Sequence, residues 1–261
     1  MCRMVAYLGG PSVSLSSVVL EPEHSLLVQS YAPKEMLSGV VNADGFGVGW
    51  YVSEDKEPAV YRSNASIWAD RSFTGIASKL RASEFFGAVR SATPGLPVEE
   101  SGVPPFASER YMFMHNGAIQ DFRQDAMRPL RDSLSDRAHA ELLGVTDSET
   151  IFAGLLDRLW EGAALDVALA ATVRHVSAVC AVAGLKATLN LAITDGTAMA
   201  FSRYSSEGPG NSLYYVEDGE ASPGAVVVAS ERLDGDGGWH EVKDGSLLVL
   251  DPTAGVTQRQ L

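Results

Sequence analysis

The chain has 261 residues, 46% of them hydrophobic, and 33 acidic against 20 basic side chains give a net charge of −13. That length and composition suit a soluble globular protein with a sizeable core, and the negative charge argues against nucleic acid or an anionic membrane surface as a partner. No unbroken apolar run reaches eighteen residues, and the first twenty lack the basic start, apolar centre and small-residue cleavage site of a signal peptide, so a cytoplasmic location is expected.

In chain order, a first strand is expected over Arg3 to Leu8, ending at GGP. HSLLVQSYAPKEM has near-helical apolar spacing, and VVNADGFGVGWY reads as a turn followed by a strand. PAVYRS, FFGAVRSAT and RYMFMHNGAI read as strands, with a helix expected around TGIASKLRA. The long, proline-bearing loop PGLPVEESGVPPFASE is a candidate wall or lid of a site. From TDSETIF to ATVRHV the pattern is two helices broken near Gly162, the first opening on a Thr146/Glu149 capping box. Strands follow at KATLNLAITDG, AMAFSRYS, SLYYVE, GAVVVASE and SLLVLDP, with DG and GPGN as turn signals. The order of strands, then helices, then strands fits layered α+β packing, with facing sheets and helices outside, in one domain over 1–261.

Two cysteines cannot form a disulfide framework, and no Cys-x-x-Cys or His-x-x-x-His spacing offers a metal site; no metal or organic cofactor is expected. Cys180 lies in the apolar VSAVCAVAG and reads as a buried small hydrophobe. Cys2 differs, because removal of an initiator methionine ahead of so small a residue leaves a thiol and a free α-amine on one residue. An α-amine titrating near ~7.7–8.0 can take a thiol proton at neutral pH. In FMHNGAI, Asn116-Gly117 reads either as a hairpin turn or as an amide and a backbone N–H aimed at one oxyanion. Arg90, the only charge in GAVRSATPG, is either an edge-strand arginine facing water or a fork for a substrate carboxylate. Asp147 is either a helix-start acid or the partner of a substrate ammonium. The G-x-G-x-G of NADGFGVGW lacks the features of a phosphate loop and reads as glycines permitting close backbone approach, with Asn42 and Asp44 fixing the turn.

Cys2-Arg3, NADGFGVGW, AVRSATPG, MHNGAI and TDSE together resemble, in order and spacing, the class II glutamine amidotransferases. The resemblance implies the four-layer αββα sandwich of the N-terminal-nucleophile hydrolases. It also implies Cys2 as nucleophile, Asn116 and Gly117 as oxyanion hole, Arg90 and Asp147 as anchors of the glutamyl carboxylate and ammonium, and Thr93 and His115 lining the site. Nearly end to end, the chain looks most like the ergothioneine-pathway amidohydrolases, which cleave the γ-glutamyl amide of γ-glutamyl-hercynylcysteine sulfoxide. A small-molecule γ-glutamyl substrate is therefore the expected partner, with an ammonia-supplying glutaminase subunit or an inactive binding homologue as alternatives. Tyr31, Trp50, Trp239 and the 94–109 loop are candidates for contact with the leaving amine. Nothing in the sequence specifies an oligomeric state.

Overall fold

The computed structural model of the chain describes residues 2–52, 55–92 and 98–261. Its strands are β1 (Arg3–Ser14), β2 (Phe46–Trp50), β3 (Ala59–Ser63), β4 (Arg81–Val89), β5 (Phe106–Ser108), β6 (Tyr111–Ile119), β7 (Ala187–Thr194), β8 (Met199–Arg203), β9 (Tyr214–Gly219), β10 (Ser222–Ala229), β11 (His240–Glu241), β12 (Ser246–Asp251) and β13 (Gly255–Gln260). Short helices α1 (Ser16–Val19), α2 (Leu26–Tyr31), α3 (Arg71–Ala77), α4 (Met127–Arg131) and α5 (Asp136–Ala140) precede the long α6 (Asp147–Trp160) and α7 (Leu165–Ala183). The strands form two antiparallel sheets, one ordered β11-β9-β10-β1-β4-β2-β3 and the other β13-β12-β8-β7-β6-β5.

Because side chains alternate along a strand, each sheet serves two cores. Met4 and Ala6 of β1 and Phe86 and Ala88 of β4 face Met112 and Met114 of β6 and Leu248 of β12, which fills the space between the sheets. The intervening Val5, Tyr7, Phe85 and Val89 pack outward against Val18, Leu26 and Phe73 of α1, α2 and α3. On the other sheet, Phe113, Leu189 and Leu191 pack outward against Phe152 and Leu155 of α6 and Val173 of α7. The layers are helix, sheet, sheet, helix. By length and composition α7 is apolar enough to cross a membrane, yet Leu169, Val173, Val176 and Cys180 bury one of its faces in this outer core.

Several elements differ from the sequence reading, among them β5, which lies inside the stretch read as the 94–109 loop. β1 does not stop at Gly9-Gly10-Pro11 but reaches Ser14, and the irregular stretch is absorbed by a shift in register against β4 between Leu8 and Val13. The helix expected around TGIASKLRA begins earlier and ends at Ala77, because the Asp70 carboxylate caps it by accepting from the Phe73 N–H, and Arg81 already belongs to β4. Asn116-Gly117 is no hairpin, since β6 continues in register through Asn116↔Asn190 and Gly117↔Leu189 to Ile119. An added Cβ on Gly117 would lie 1.9 Å from the Thr188 carbonyl oxygen and 2.6 Å from His115 Nε2, so glycine serves close approach there. Gly47 and Gly49 do the same, with added Cβ atoms 2.4 Å from the Pro104 carbonyl oxygen and from Met112 Sδ respectively.

Candidate active site

A cleft opens where the start of β1, the end of β4, the middle of β6 and the start of α6 meet, with Cys2, Arg90, Ser91, Gly102, His115 and Asp147 on its walls. Cys2 leads into the central strand β1, which has β10 and β4 on either side. The Cys2 thiol approaches the Ser91 carbonyl oxygen at 4.0 Å. Its own carbonyl accepts from Arg3 Nη1 at 3.0 Å, while Arg3 Nε donates at 2.9 Å to Glu231. Glu231 also bonds His24 Nε2 (2.7 Å) and accepts from the backbone N–H groups of Lys34 (2.8 Å) and Glu35 (3.1 Å). Burial alone would raise the Glu231 carboxyl, but those hydrogen bonds and Arg3 hold it below the ordinary carboxylate range. A buried ion pair thus fixes the peptide that carries Cys2.

Arg90 follows β4 directly. Its N–H donates to the Gly45 carbonyl (2.8 Å), its carbonyl accepts from the Asp44 N–H (3.0 Å), and Asp44 Oδ2 takes the Ala92 N–H (2.8 Å). The NADGFGVGW and AVRSATPG stretches are therefore stitched together, and Asp44 fixes the turn after the arginine. The Arg90 side chain is only 4% exposed, which removes the reading of an edge arginine facing water. Its Nη1 donates to the Glu99 carbonyl at a long 3.4 Å, and none of the ion pairs among the described residues includes it. A Cβ on Gly102 would come within 2.8 Å of Arg90 Nη2, so that glycine lets the loop lie on the guanidinium.

Asp147 is the first residue of α6, behind a complete capping box: Thr146 Oγ1 accepts from the Glu149 N–H and Glu149 accepts from the Thr146 N–H. Asp147 Oδ2 takes the Ile119 N–H at 2.9 Å, and Oδ1 takes the Ser148 N–H at 2.8 Å. The carboxylate is thereby clamped between β6 and α6, at the helix end that favours negative charge. His115 Nε2 lies 3.0 Å from the Thr188 carbonyl oxygen, which can only accept, so Nε2 carries a proton. His115 Nδ1 lies 3.0 Å from the Ser148 hydroxyl oxygen, which also reaches Asp147 Oδ1 at 3.3 Å.

Asn116 is fully buried between the sheets and is not on the cleft wall. Its Nδ2 donates to Ser230 Oγ at 3.2 Å, and Ser230 Oγ accepts from the Met4 N–H at 3.0 Å. The cleft thus gathers Cys2, Arg90, His115, Gly117 and Asp147, with Asn116 one step behind, while Thr93 lies outside the described residues. Of the leaving-group candidates, Trp50 and Trp239 pack in the outer core beneath α1–α3, with Trp239 Nε1 bonded to Asp234, and neither lines the cleft. Tyr31 is exposed, edge-on to Trp68. The 94–109 loop contributes Gly102 and Pro104 to the wall. Cys180 is fully buried, with its thiol pushed up by burial to about 11, as suits a packing residue. The sequence reading missed Ser148, Ser230 and Glu231, because a lone Ser or Glu carries no signal until the fold brings its partner to it.

The chain belongs to the class II glutamine amidotransferases, whose family profile matches residues 20–217. It is 34% identical over 248 residues to the gamma-glutamyl-hercynylcysteine sulfoxide hydrolase of Mycolicibacterium smegmatis, covering 95% of each chain. It is 36% identical over 250 residues to the protein of the same name from Mycobacterium tuberculosis, covering 96% of this chain and 93% of that one. Among solved structures it superposes with a TM-score of 0.73 on a glutamine aminotransferase class-II domain protein from Silicibacter pomeroyi, at 25% identity over 99% of both chains. The αββα sandwich is that of the N-terminal-nucleophile hydrolases.

Proposed function

We propose that this chain is a cytoplasmic, single-domain amidohydrolase that cleaves the γ-glutamyl amide of γ-glutamyl-hercynylcysteine sulfoxide. The products are glutamate and hercynylcysteine sulfoxide. The observation that carries this reading is the buried guanidinium of Arg90, without a carboxylate partner among the described residues, in the same cleft as the clamped Asp147 and the thiol of Cys2. An arginine fork and an aspartate suit the α-carboxylate and α-ammonium of a glutamyl group, with its γ-carbonyl left to the thiol.

In this mechanism Met1 is removed and the freed α-amine of Cys2 takes the thiol proton. The thiolate attacks the γ-carbonyl carbon, and the negative oxygen formed is held by Asn116 Nδ2 and the Gly117 N–H. The C–N bond then breaks, and the leaving amine takes the proton from the Cys2 ammonium. A water activated by the same amine hydrolyses the glutamyl thioester. His115, fixed by Thr188 and Ser148, lines the glutamyl pocket. The near end-to-end likeness to the two mycobacterial hydrolases supports this substrate over free glutamine. Protein confirmed by intact mass to begin at Cys2 should release glutamate from the sulfoxide conjugate far faster than from glutamine. The reverse preference, with copurification of a synthase, would instead make it an ammonia-supplying subunit.

A further inference from the structure

We infer that Asn211 is the positioning residue of the oxyanion hole, holding the Asn116 amide so that its nitrogen faces the reacting carbonyl. The inference rests on the proposed role of Asn116. Asn211 lies in the GPGN stretch and is fully buried. Its side-chain nitrogen sits 3.0 Å from the backbone oxygen of Asn116 and 3.2 Å from Asn116 Oδ1.

The orientation follows from the hydrogen-bonding groups themselves. A backbone carbonyl only accepts, so the Asn211 atom facing it must be Nδ2. That nitrogen also faces the Asn116 side chain, so the Asn116 atom turned toward it must be Oδ1. Asn116 Nδ2 is therefore forced to the other side, where one of its hydrogens goes to Ser230 Oγ and the second has no partner among the described residues. Ser230 is tied to the Met4 N–H, two residues beyond Cys2, which puts the spare donor at the nucleophile end of β1. Asn211 is itself anchored, since its carbonyl accepts from Asn190 Nδ2 (2.9 Å) and Arg203 Nε (3.0 Å), and Asn190 is the cross-strand partner of Asn116. An amide free to flip would present an oxygen to the developing oxyanion for part of the time, which costs rate without costing substrate affinity.

The test is a double-mutant cycle with Asn211→Asp and Asn116→Ala in Met-processed protein, reading kcat and KM for glutamate release. A second readout is the affinity for product glutamate and for a γ-aldehyde analogue whose adduct with Cys2 carries the tetrahedral oxygen. Asn211→Asp keeps the shape but offers an acceptor where Asn116 needs a donor. It should lower kcat about a hundredfold, as losing one oxyanion donor does. Aldehyde affinity should fall in parallel, with KM and glutamate affinity within about twofold of wild type. The double variant should be no worse than Asn116→Ala alone. If Asn211→Asp does not fold, Asn211→Ala, which removes the donor without a buried charge, goes through the same cycle. Wild-type kcat in the Asn211 variant beside an impaired Asn116→Ala overturns the inference, as does a double variant showing the product of both losses. Wild-type kcat in Asn116→Ala overturns the oxyanion reading of Asn116 itself.

Discussion

At the scale of the residue, Arg90 is the most exacting position. It is buried against Gly102, where its guanidinium makes one long hydrogen bond among the described residues, so its charge is held out of water without a carboxylate partner among them. Arg90→Lys keeps the charge but loses the planar fork, and a charge-assisted hydrogen bond is worth about 1.5–3 kcal/mol. We expect kcat/KM for the γ-glutamyl substrate to fall about 10- to 100-fold, chiefly through KM, in steady-state assays. An unchanged KM would remove Arg90 from substrate binding. Gly102→Ala should move kinetics in the same direction, because its Cβ would meet Arg90 Nη2 at 2.8 Å. The motif AVRSA made Arg90 a candidate from the sequence alone. Its burial was not legible there, because it depends on Gly102 arriving from a loop across the cleft.

Among the elements, α6 couples stability to the site. Its capping box was legible as Thr-x-x-Glu, and the structure forms both reciprocal hydrogen bonds. The break between α6 and α7 was legible too, since Gly162 adopts a φ of +92°. What could not be read was that Asp147 would also take the Ile119 N–H, a contact across 28 residues that ties the helix start to β6. Thr146→Ala should therefore cost about 1 kcal/mol in denaturant unfolding, as lost caps do. It should also raise KM, because the first turn that aims Asp147 is loosened; a stability loss with unchanged KM would separate the cap from the site. The opposite lesson comes from β6, where Asn-Gly chemistry suggested a turn. Pairing with β7, unbroken through Asn116↔Asn190 and Gly117↔Leu189, overrode that local preference.

For the whole molecule, the two sheets are joined at a second place that the proposed reaction does not use. Glu84 of β4 is buried between the layers and hydrogen-bonded with Thr194 Oγ1 of β7, which also bonds the Ala198 carbonyl oxygen (2.9 Å). The Thr194 hydroxyl has a single hydrogen to share between the Glu84 carboxylate and the Ala198 carbonyl, so it only partly offsets the cost of burying a charge on Glu84. Burial pushes the Glu84 carboxyl up from 4.5 to about 7, with Asp195 adding to the shift against hydrogen bonds that oppose it. The unfolded chain releases this proton near 4.5 and the folded one near 7. The stabilisation is complete below 4.5 and lost as pH rises through 7, and amounts to up to about 3 kcal/mol. Unfolding followed by denaturant from pH 5 to 8 should show this decline, and Glu84→Gln should flatten it. A decline of the same size in the variant would assign it to other groups. The layered α+β architecture was legible in the order of strands, helices and strands. The bridge was not, because Glu84 and Thr194 are 110 residues apart and meet only once the sheets are stacked.

The central claim is that Cys2, freed of Met1, is the nucleophile, and a trapped intermediate tests it most directly. Processed protein mixed with the γ-glutamyl sulfoxide conjugate and quenched in acid should carry a glutamyl adduct on the peptide that begins at Cys2, lost on treatment with hydroxylamine and absent from Cys2→Ala. Glutamate release at the wild-type rate by Cys2→Ala, or an adduct on any other residue, would contradict the account.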